Sequence, residues 1–294
     1  MAQNNNTAHL PLPLPLKILR ALYPIIQTLI PPLAKKIGVG FFLKPFRFPL
    51  PEREKAVNEQ ATVEEIKVGG QTIKVYEWNK GKPYLLMVHG WSGRAMQFHA
   101  FIEHFTQKGF GVLSFDAPGH GKSTGGETNI VEFADCIKSI IDLKGEPFAL
   151  IGHSLGGIAC MFYQRWNETE IPQIIINSPA IPDEIFENYA IRLNAKKERV
   201  EEWIRAYTLK KFERDFDEVS GKELSKNIKK APFLMVYDEN DREVSWANAQ
   251  DLTENMPWAQ YFQTQGFGHV RILRADVVLQ RIEEFIEALP NQKA

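Results

Sequence analysis

Cysteine is scarce in this chain of 294 residues, and potential metal ligands do not cluster. The two cysteines, Cys136 and Cys160, both fall in segments predicted to be helical, which favours buried thiols over a disulfide. The seven histidines are spread along the chain without the spacing of a metal site. We therefore expect no metal, no cofactor and a reducing, cytoplasmic environment.

The chain also lacks a strong net charge and a long hydrophobic run. Its formal net charge is −1 at pH 7, so the overall balance does not favour binding to nucleic acid. No uninterrupted apolar segment reaches the roughly 18 residues of a membrane-spanning helix. The N-terminal region has neither a basic start nor a small-residue cleavage site, so we expect no secretory signal.

Residues 1–51 contain no acidic residue and six lysines and arginines, so this segment carries a charge of +6. Because the total is −1, the rest of the chain carries −7. Residues 1–61 form a basic, apolar arm broken by prolines, in which 16–23 and 25–30 are short amphipathic helix candidates. Three interpretations stay open. The arm packs across the domain or closes the substrate pocket, it makes peripheral membrane contact through residues 10–48, or it serves dimer exchange or processing. The oligomeric state is not determined by the sequence.

From residue 62 onward, short apolar strands alternate with helical segments. Leu85–Val88 and Ile174–Ile176 are apolar at every position, as expected of strands covered by helices on both faces. This alternation predicts an α/β fold with a mostly parallel sheet, built from residues 62–181 and 231–294. The predicted strands are a hairpin over 63–78 with a Gly-Gly turn, then 84–88, 111–115, 148–151, 173–177, 233–237 and 259–263; the predicted helices are 95–107, 130–143, 155–166, 246–255 and 271–288.

One block, residues 182–230, interrupts the alternation. It is highly charged and carries aromatic residues such as Trp203 and Tyr207 at helix-compatible spacing. An insertion at this point in the chain lies above the C-terminal ends of the strands. We therefore predict a helical cap over the pocket.

The most informative motif is Gly-His-Ser-Leu-Gly at residues 152–156. It follows an apolar strand and precedes a helical run, which is the context in which G-x-S-x-G presents a nucleophilic serine. Gly152 and Gly156 leave room where the backbone must pass close to the turn. The N-terminus of the following helix suits a negative oxygen. These features predict Ser154 as the nucleophile.

A serine hydroxyl needs a base, and the base needs an orienting acid. The best base is His269, on a glycine-rich loop between the last strand and the last helix, whereas His89 and His120 are poorer candidates. Asp241, a few residues past the strand that ends near Tyr237, is the predicted acid. Asp238 is expected to be a turn residue that bonds local backbone.

The oxyanion hole requires two N–H donors near the serine. Leu155, next to the nucleophile, supplies one, and Trp91, in the His-Gly-Trp loop after strand 84–88, is the best placed for the other. Gly90, Trp91 and His153 are predicted to line the substrate pocket, with the His153 ring pointing away from the hydroxyl.

Over about residues 62–289 the sequence resembles the α/β-hydrolase superfamily. The resemblance is carried by His89-Gly90-Trp91, by Asp116-Ala-Pro-Gly-His-Gly-Lys-Ser123, by the motif at 152–156, by Asp241-x-x-Val244 and by Gly268-His269. It implies an eight-stranded, mostly parallel sheet flanked by helices, with a helical cap after the sixth strand. It also implies a structural role for Asp116 and Ser123.

Within that superfamily the sequence looks most like small esterases and acylglycerol-lipase-like enzymes. We expect a serine hydrolase that cleaves a carboxylic ester with a hydrophobic acyl or alkyl group through an acyl-enzyme. The alternatives are an acyltransferase, a thioesterase or a carbon–carbon hydrolase on the same triad, and a non-catalytic binding protein of this fold. Cytoplasmic localisation with association at a membrane surface stays open.

Overall fold

An eight-stranded sheet with helices on both faces forms the centre of the protein, whose computed structural model describes residues 14–290. The strands are β1 (Thr62–Val68), β2 (Gln71–Trp78), β3 (Tyr84–Val88), β4 (Gly111–Asp116), β5 (Ala149–His153), β6 (Gln173–Ile176), β7 (Phe233–Asp238) and β8 (Gln260–Thr264). The α-helices are α1 (Leu14–Leu29), α2 (Pro31–Leu43), α3 (Glu52–Gln60), α4 (His99–Gln107), α5 (Ile130–Lys144), α6 (Leu155–Asn167), α7 (Pro182–Leu193), α8 (Lys197–Phe212), α9 (Gly221–Lys226), α10 (Trp246–Asn255), α11 (Gly268–Arg271) and α12 (Asp276–Glu287).

The strand order is β1-β2-β4-β3-β5-β6-β7-β8. The β1–β2 hairpin is antiparallel and joins β4 in the antiparallel sense, while β3 to β8 run parallel. The C-terminal ends of the parallel strands therefore meet at one edge, where loops gather to form a site. This arrangement confirms the predicted α/β fold with its mostly parallel eight-stranded sheet.

Alternate residues of the central strands are buried in two separate hydrophobic cores, one on each face of the sheet. Leu86 and Val88 of β3 pack with α5 and α6 on one face, whereas Leu85 and Met87 pack with α4 and α12 on the other. Every residue of β3, β4, β5, β6 and β7 is buried, which explains why these strands are mostly apolar on both faces.

The N-terminal arm differs from its prediction. A single helix, α1, contains Pro24 within it, in place of two short helices at 16–23 and 25–30. Proline removes one backbone donor, but buried Tyr23 and Gln27 on either side anchor α1 by long-range hydrogen bonds that local sequence does not reveal. Helices α2 and α3 were not predicted, and the predicted helix 271–288 is divided into α11, a 3₁₀ turn and α12.

The arm packs against residues 182–230, which contain α7, α8 and α9 between β6 and β7. A third apolar cluster joins the two segments, and its buried members are Tyr23, Ala34, Val39, Leu43, Phe186, Leu193, Val200, Trp203 and Ile204. Tyr189 of α7 also donates its hydroxyl hydrogen to the Gly38 oxygen over 2.6 Å. Within residues 14–290, no helix is long and apolar enough to cross a membrane.

Candidate active site

Ser154 lies at the turn between β5 and α6, at the C-terminal edge of the sheet. Its backbone has φ 54° and ψ −126°, a region that non-glycine residues rarely occupy and that costs about 1–3 kcal/mol. The turn is held by two backbone hydrogen bonds, from Ser154 N–H to Ile176 O and from Gly157 N–H to Ser154 O. A strained turn between strand and helix is the conformation predicted for a nucleophile elbow.

The glycines of the motif are required because backbone passes close on both sides. A Cβ on Gly156 would overlap the Val88 oxygen and lie 2.6 Å from the His89 oxygen. A Cβ on Gly152 would overlap the backbone of Gly157. Both sites therefore have no room for a side chain, as the sequence predicted.

His269 and Asp241 meet at the same edge of the sheet. His269 Nδ1 donates to Asp241 Oδ2 over 2.7 Å. Nε2 is therefore the ring nitrogen that can accept a proton. The second carboxylate oxygen of Asp241 accepts hydrogen bonds from Glu243 N–H and Val244 N–H at 2.7 and 3.1 Å. The carboxylate is thus fixed at both oxygens and its side chain is fully buried.

The electrostatics of this pair favour a basic imidazole. Burial lowers the pKa of His269, but the hydrogen bond and negative charge of Asp241 outweigh burial, and the net direction is upward. Glu243 adds to the increase and Arg192 opposes it.

Asp238 has a larger role than the local turn predicted for it. Its carboxylate does bond the nearby Asn240 N–H, but it also accepts from Phe267 N–H and Gly268 N–H at 3.0 and 2.9 Å. A fourth hydrogen bond comes from the Thr264 hydroxyl. Asp238 therefore holds the loop that carries His269, a function that sequence reasoning missed because the partners lie about 30 residues away.

His153 does not line an open pocket, and this corrects the prediction for that side chain. The residue is buried, and its ring lies against the His269 ring with 4.7 Å between centroids. Its Nε2 donates to the His269 main-chain oxygen over 2.8 Å, because a carbonyl can only accept. Burial, and then the neighbouring His269, hold the pKa of His153 well below its usual range. A neutral His153 therefore links the turn at Ser154 to the loop that carries His269 by a hydrogen bond.

The loop after β3 brings Gly90 against the nucleophile. A Cβ on Gly90 would lie 2.7 Å from Ser154 Cβ and 3.3 Å from Ser154 Oγ. The Gly90 carbonyl is occupied by Gly93 N–H at 3.0 Å and by His89 Nδ1 at 2.7 Å. In a trans peptide the next N–H points opposite to the carbonyl, so the Trp91 N–H is directed away from these two partners.

The second proposed donor, Leu155, is the first residue of α6. The N–H groups in the first turn of a helix have no intrahelical acceptor, and they carry the positive end of the helix dipole. Leu155 thus follows Ser154 in sequence, and Gly90, the residue before Trp91, lies against it in space, which is compatible with the predicted oxyanion hole.

Two buried histidines hold the Gly90–Trp91 loop in place, a role not predicted from the sequence. His89 Nε2 accepts from Ala117 N–H at 3.1 Å, and His120 Nε2 accepts from Ser92 N–H at 3.0 Å. Burial lowers the pKa of His89 to about 4 and that of His120 to about 3. A low pKa makes each ring a weak base, and both nitrogens of each ring already have hydrogen-bond partners, so neither competes with His269 as a base.

Asp116 and Ser123 have structural roles, as the resemblance implied. The Asp116 carboxylate accepts from Ala95 N–H, Lys122 N–H and the Tyr76 hydroxyl, at 2.8 to 3.0 Å. Ser123 Oγ accepts from Lys74 N–H and donates to the Asp116 carbonyl. Together they brace the turn after β4.

Helix α7 of the predicted cap contacts the loop that carries Asp241. Arg192 pairs with Glu243 at 3.0 Å, and Asn188 donates to the Glu243 carbonyl at 3.1 Å. Glu184, at the start of α7, accepts from the Ser245 N–H and hydroxyl and from Asn248. These contacts position α7 beside the His–Asp pair.

A cavity of about 380 Å³ opens between the arm, the loop before α5 and the end of α8. It is lined by Leu43, Gln71, 126–129, Glu132, Lys211 and Phe212, so its walls are mostly polar. Ser154, His269 and Asp241 are not among these lining residues. The cavity therefore does not serve as the acyl pocket of this site.

Comparisons with known proteins match parts of the chain. A family model described as "Serine aminopeptidase, S33" matches residues 79–211. The chain is 35% identical over 91 residues to an (E)-2-((N-methylformamido)methylene)succinate hydrolase of Acinetobacter baylyi, covering 30% of this chain and 34% of that protein. It is 28% identical over 131 residues to phospholipase YtpA of Bacillus subtilis, covering 42% and 51%. The chain thus spans between a third and a half of the length of these relatives.

Solved structures match over a larger share of the chain. The esterase Pf2001 of Pyrococcus furiosus superposes with a TM-score of 0.63 at 21% identity, covering 83% of this chain and 96% of that one. A membrane phospholipase A, described as a bacterial virulence factor, gives 0.62 at 17% identity and covers 95% and 98%. These matches show that the chain has the α/β-hydrolase fold.

Proposed function

We propose that this protein is a serine hydrolase that cleaves a carboxylic ester, with Ser154 as nucleophile, His269 as base and Asp241 as the acid that orients it. The observation that carries the proposal is the 2.7 Å bond between His269 Nδ1 and Asp241 Oδ2, on a loop that His153 links to the serine turn. Relatives named as a phospholipase and a monoacylglycerol lipase support an ester as the substrate class.

The chemistry would proceed in two halves. His269 Nε2 takes the proton of Ser154 as Oγ attacks the carbonyl carbon, and the oxygen that becomes negative is stabilised by the N–H groups of Trp91 and Leu155. His269 then returns the proton to the departing alcohol, and the carbon–oxygen bond of the ester breaks. An acyl-Ser154 ester remains.

In the second half, His269 removes a proton from water, whose oxygen attacks the acyl carbon. Collapse of this second tetrahedral intermediate restores Ser154 and releases the carboxylic acid. Asp241 stays ionised throughout and stabilises the imidazolium that forms twice in each cycle.

A hydrophobic acyl or alkyl group is the substrate part that best fits the surroundings. Trp91 stacks edge-on against His120 at 5.6 Å between ring centroids, and it follows Gly90, whose backbone lies against Ser154. An indole held in this loop would offer apolar surface to a chain bound there.

The test is hydrolysis of p-nitrophenyl esters from acetate to palmitate by the wild type and by Ser154→Ala. We expect turnover that the substitution abolishes, with a preference for acyl chains longer than acetate. Equal turnover by both proteins would reject Ser154 as the nucleophile. Absence of turnover with every ester, from folded protein, would reject ester hydrolysis and favour the binding-protein alternative.

A further inference from the structure

Exposed hydrophobic side chains are concentrated in the N-terminal arm. Within residues 17–290, fifteen large hydrophobic residues are exposed, and eight of them lie between Ile18 and Phe48. Single exposed apolar residues are normal on a protein surface, but a dense group marks an interaction site.

Four of the eight form one line along α1. Ile18, Leu22, Ile25 and Leu29 follow the spacing i, i+4, i+7, i+11, which places them on one helix face. We refer to these four as the α1 stripe. Ile25 and Leu29 are 55% and 73% exposed.

The orientation of the α1 stripe is fixed by the opposite side of the helix. Tyr23 is fully buried and donates to the Ala34 oxygen over 2.9 Å, and buried Gln27 accepts from Lys196 N–H over 2.9 Å. Rotation of α1 to bury the stripe would break both bonds and expose Tyr23. The stripe therefore faces away from the rest of the protein.

The arm that contains the stripe is rich in cations and lacks acids. Lys17, Arg20, Lys35, Lys36 and Lys44 are all exposed, and none forms an ion pair with another described residue. The first acidic residue of the chain is Glu52. Arg47 is different, because its guanidinium donates to the carbonyl oxygens of Gly119, Gly121, Ser123 and Gly125.

We propose that the α1 stripe docks on an anionic lipid bilayer, with the four apolar side chains at the acyl boundary and the exposed lysines of the arm attracted to the headgroups. An exposed apolar stripe in a segment that carries cations and no acid matches the hydrophobic and electrostatic attractions that hold interfacial helices on membranes. A second copy of this chain fits less well, because a symmetric contact would bring two groups of like charge together. The helix has 16 residues and lies on the bilayer rather than across it.

The arm also links this surface to the candidate active site. Phe46 N–H donates to Ser92 Oγ over 2.9 Å, and Arg94 donates to the Phe48 carbonyl, so residues 46–48 run along the loop that carries Trp91. Docking through α1 would hold the site near the lipid, which supplies esters with long acyl chains. This consequence rests on the proposed function, whereas the docking itself does not.

The test is sedimentation of the full chain with vesicles of phosphatidylcholine alone or with about 30% phosphatidylglycerol. We expect binding to the anionic vesicles that weakens at about 0.5 M salt. Ile25→Asp with Leu29→Asp should weaken binding at least tenfold, and Lys35→Gln with Lys36→Gln about fivefold or more. The matched control is Leu143→Asp on α5, at a residue 60% exposed and outside the arm, which should bind within twofold of the wild type.

Ser154→Ala should bind vesicles like the wild type, which separates this test from that of the proposed function. Failure of the wild type to bind anionic vesicles, or equal binding by the α1 stripe variant, would overturn the proposal. Concentration-dependent dimers that the stripe variant loses, without vesicle binding, would assign the stripe to a second copy. Circular dichroism establishes that each variant is folded.

Discussion

His153 Nε2 donates a hydrogen bond of 2.8 Å to the main-chain oxygen of His269, so the residue before the proposed nucleophile holds the proposed base. The two residues are 116 positions apart in sequence. The contact joins the end of β5 to the loop after β8, which are separated in the sheet by β6 and β7. A single hydrogen bond thus links the two segments that carry the proposed nucleophile and the proposed base.

Replacing His153 should therefore affect turnover more than substrate binding. In His153→Leu the His269 carbonyl loses its donor, and misplacement costing about 1.4 kcal/mol would lower kcat about tenfold, with KM changed by less than about twofold. His153→Gln keeps an N–H donor and should retain most of the activity. Steady-state kinetics on one soluble ester checks both variants, and wild-type kcat in the leucine variant would show that the bond is not needed for positioning.

The pH dependence of kcat/KM should reflect the His269–Asp241 pair. The base works only when neutral, so activity rises with pH through the pKa of His269, which Asp241 raises above the ordinary value of about 6.5. In Asp241→Asn the negative charge is gone, burial dominates, and the acidic limb should move to lower pH. Loss of the orienting acid should also reduce the rate about 1,000- to 10,000-fold. If the acidic limb of the kcat/KM profile lay at the same pH in the wild type and in Asp241→Asn, a group other than His269 would control it.

Asp238 should contribute mainly to stability and to the position of the base loop. Its buried carboxylate accepts four hydrogen bonds, so Asp238→Ala leaves donors at Phe267 and Gly268 unpaired and should lower the free energy of unfolding by about 2–4 kcal/mol. The control is Asp142→Asn, in an exposed ion pair with Lys138, which should change stability by less than about 0.5 kcal/mol. Urea unfolding of the three proteins measures both effects, and equal midpoints would contradict the anchoring role.

Gly90 should tolerate no side chain. A Cβ there would press on the Ser154 side chain, so Gly90→Ala should reduce kcat/KM at least 100-fold by displacing either the nucleophile or the Trp91 donor. Gly126→Ala is the matched control, because nothing lies within 4 Å of a Cβ at that position. Activity of Gly90→Ala near that of Gly126→Ala would place the oxyanion donors elsewhere.

The parts of this structure that could be predicted are those encoded by local sequence. The strands of the parallel sheet are short apolar runs, and the glycines of Gly152–Gly156 indicate a tight turn. Both features could therefore be predicted from residues close together in the chain. The contact between His269 and Asp241 could also be predicted, because each residue comes shortly after a recognisable strand, whereas the role of Ser154 with this pair stays a prediction.

The parts that could not be predicted depend on contacts between distant segments. Helix α1 continues through Pro24 because Gln27 bonds residue 196, and Asp238 holds a loop about 30 residues further on. His89 and His120 are neutral and hold the Trp91 loop by hydrogen bonds only once the fold has buried them. These contacts cannot be predicted from the sequence around each residue, because their partners lie in distant segments.

The most direct test of the central claim is covalent labelling by a fluorophosphonate, followed by peptide mass spectrometry. We predict one adduct, on Ser154, that forms rapidly in the wild type, slowly in His269→Ala and not at all in Ser154→Ala, which should fold like the wild type. An adduct on another residue, or a wild type that stays unlabelled while folded, would contradict the assignment of Ser154 as an activated nucleophile.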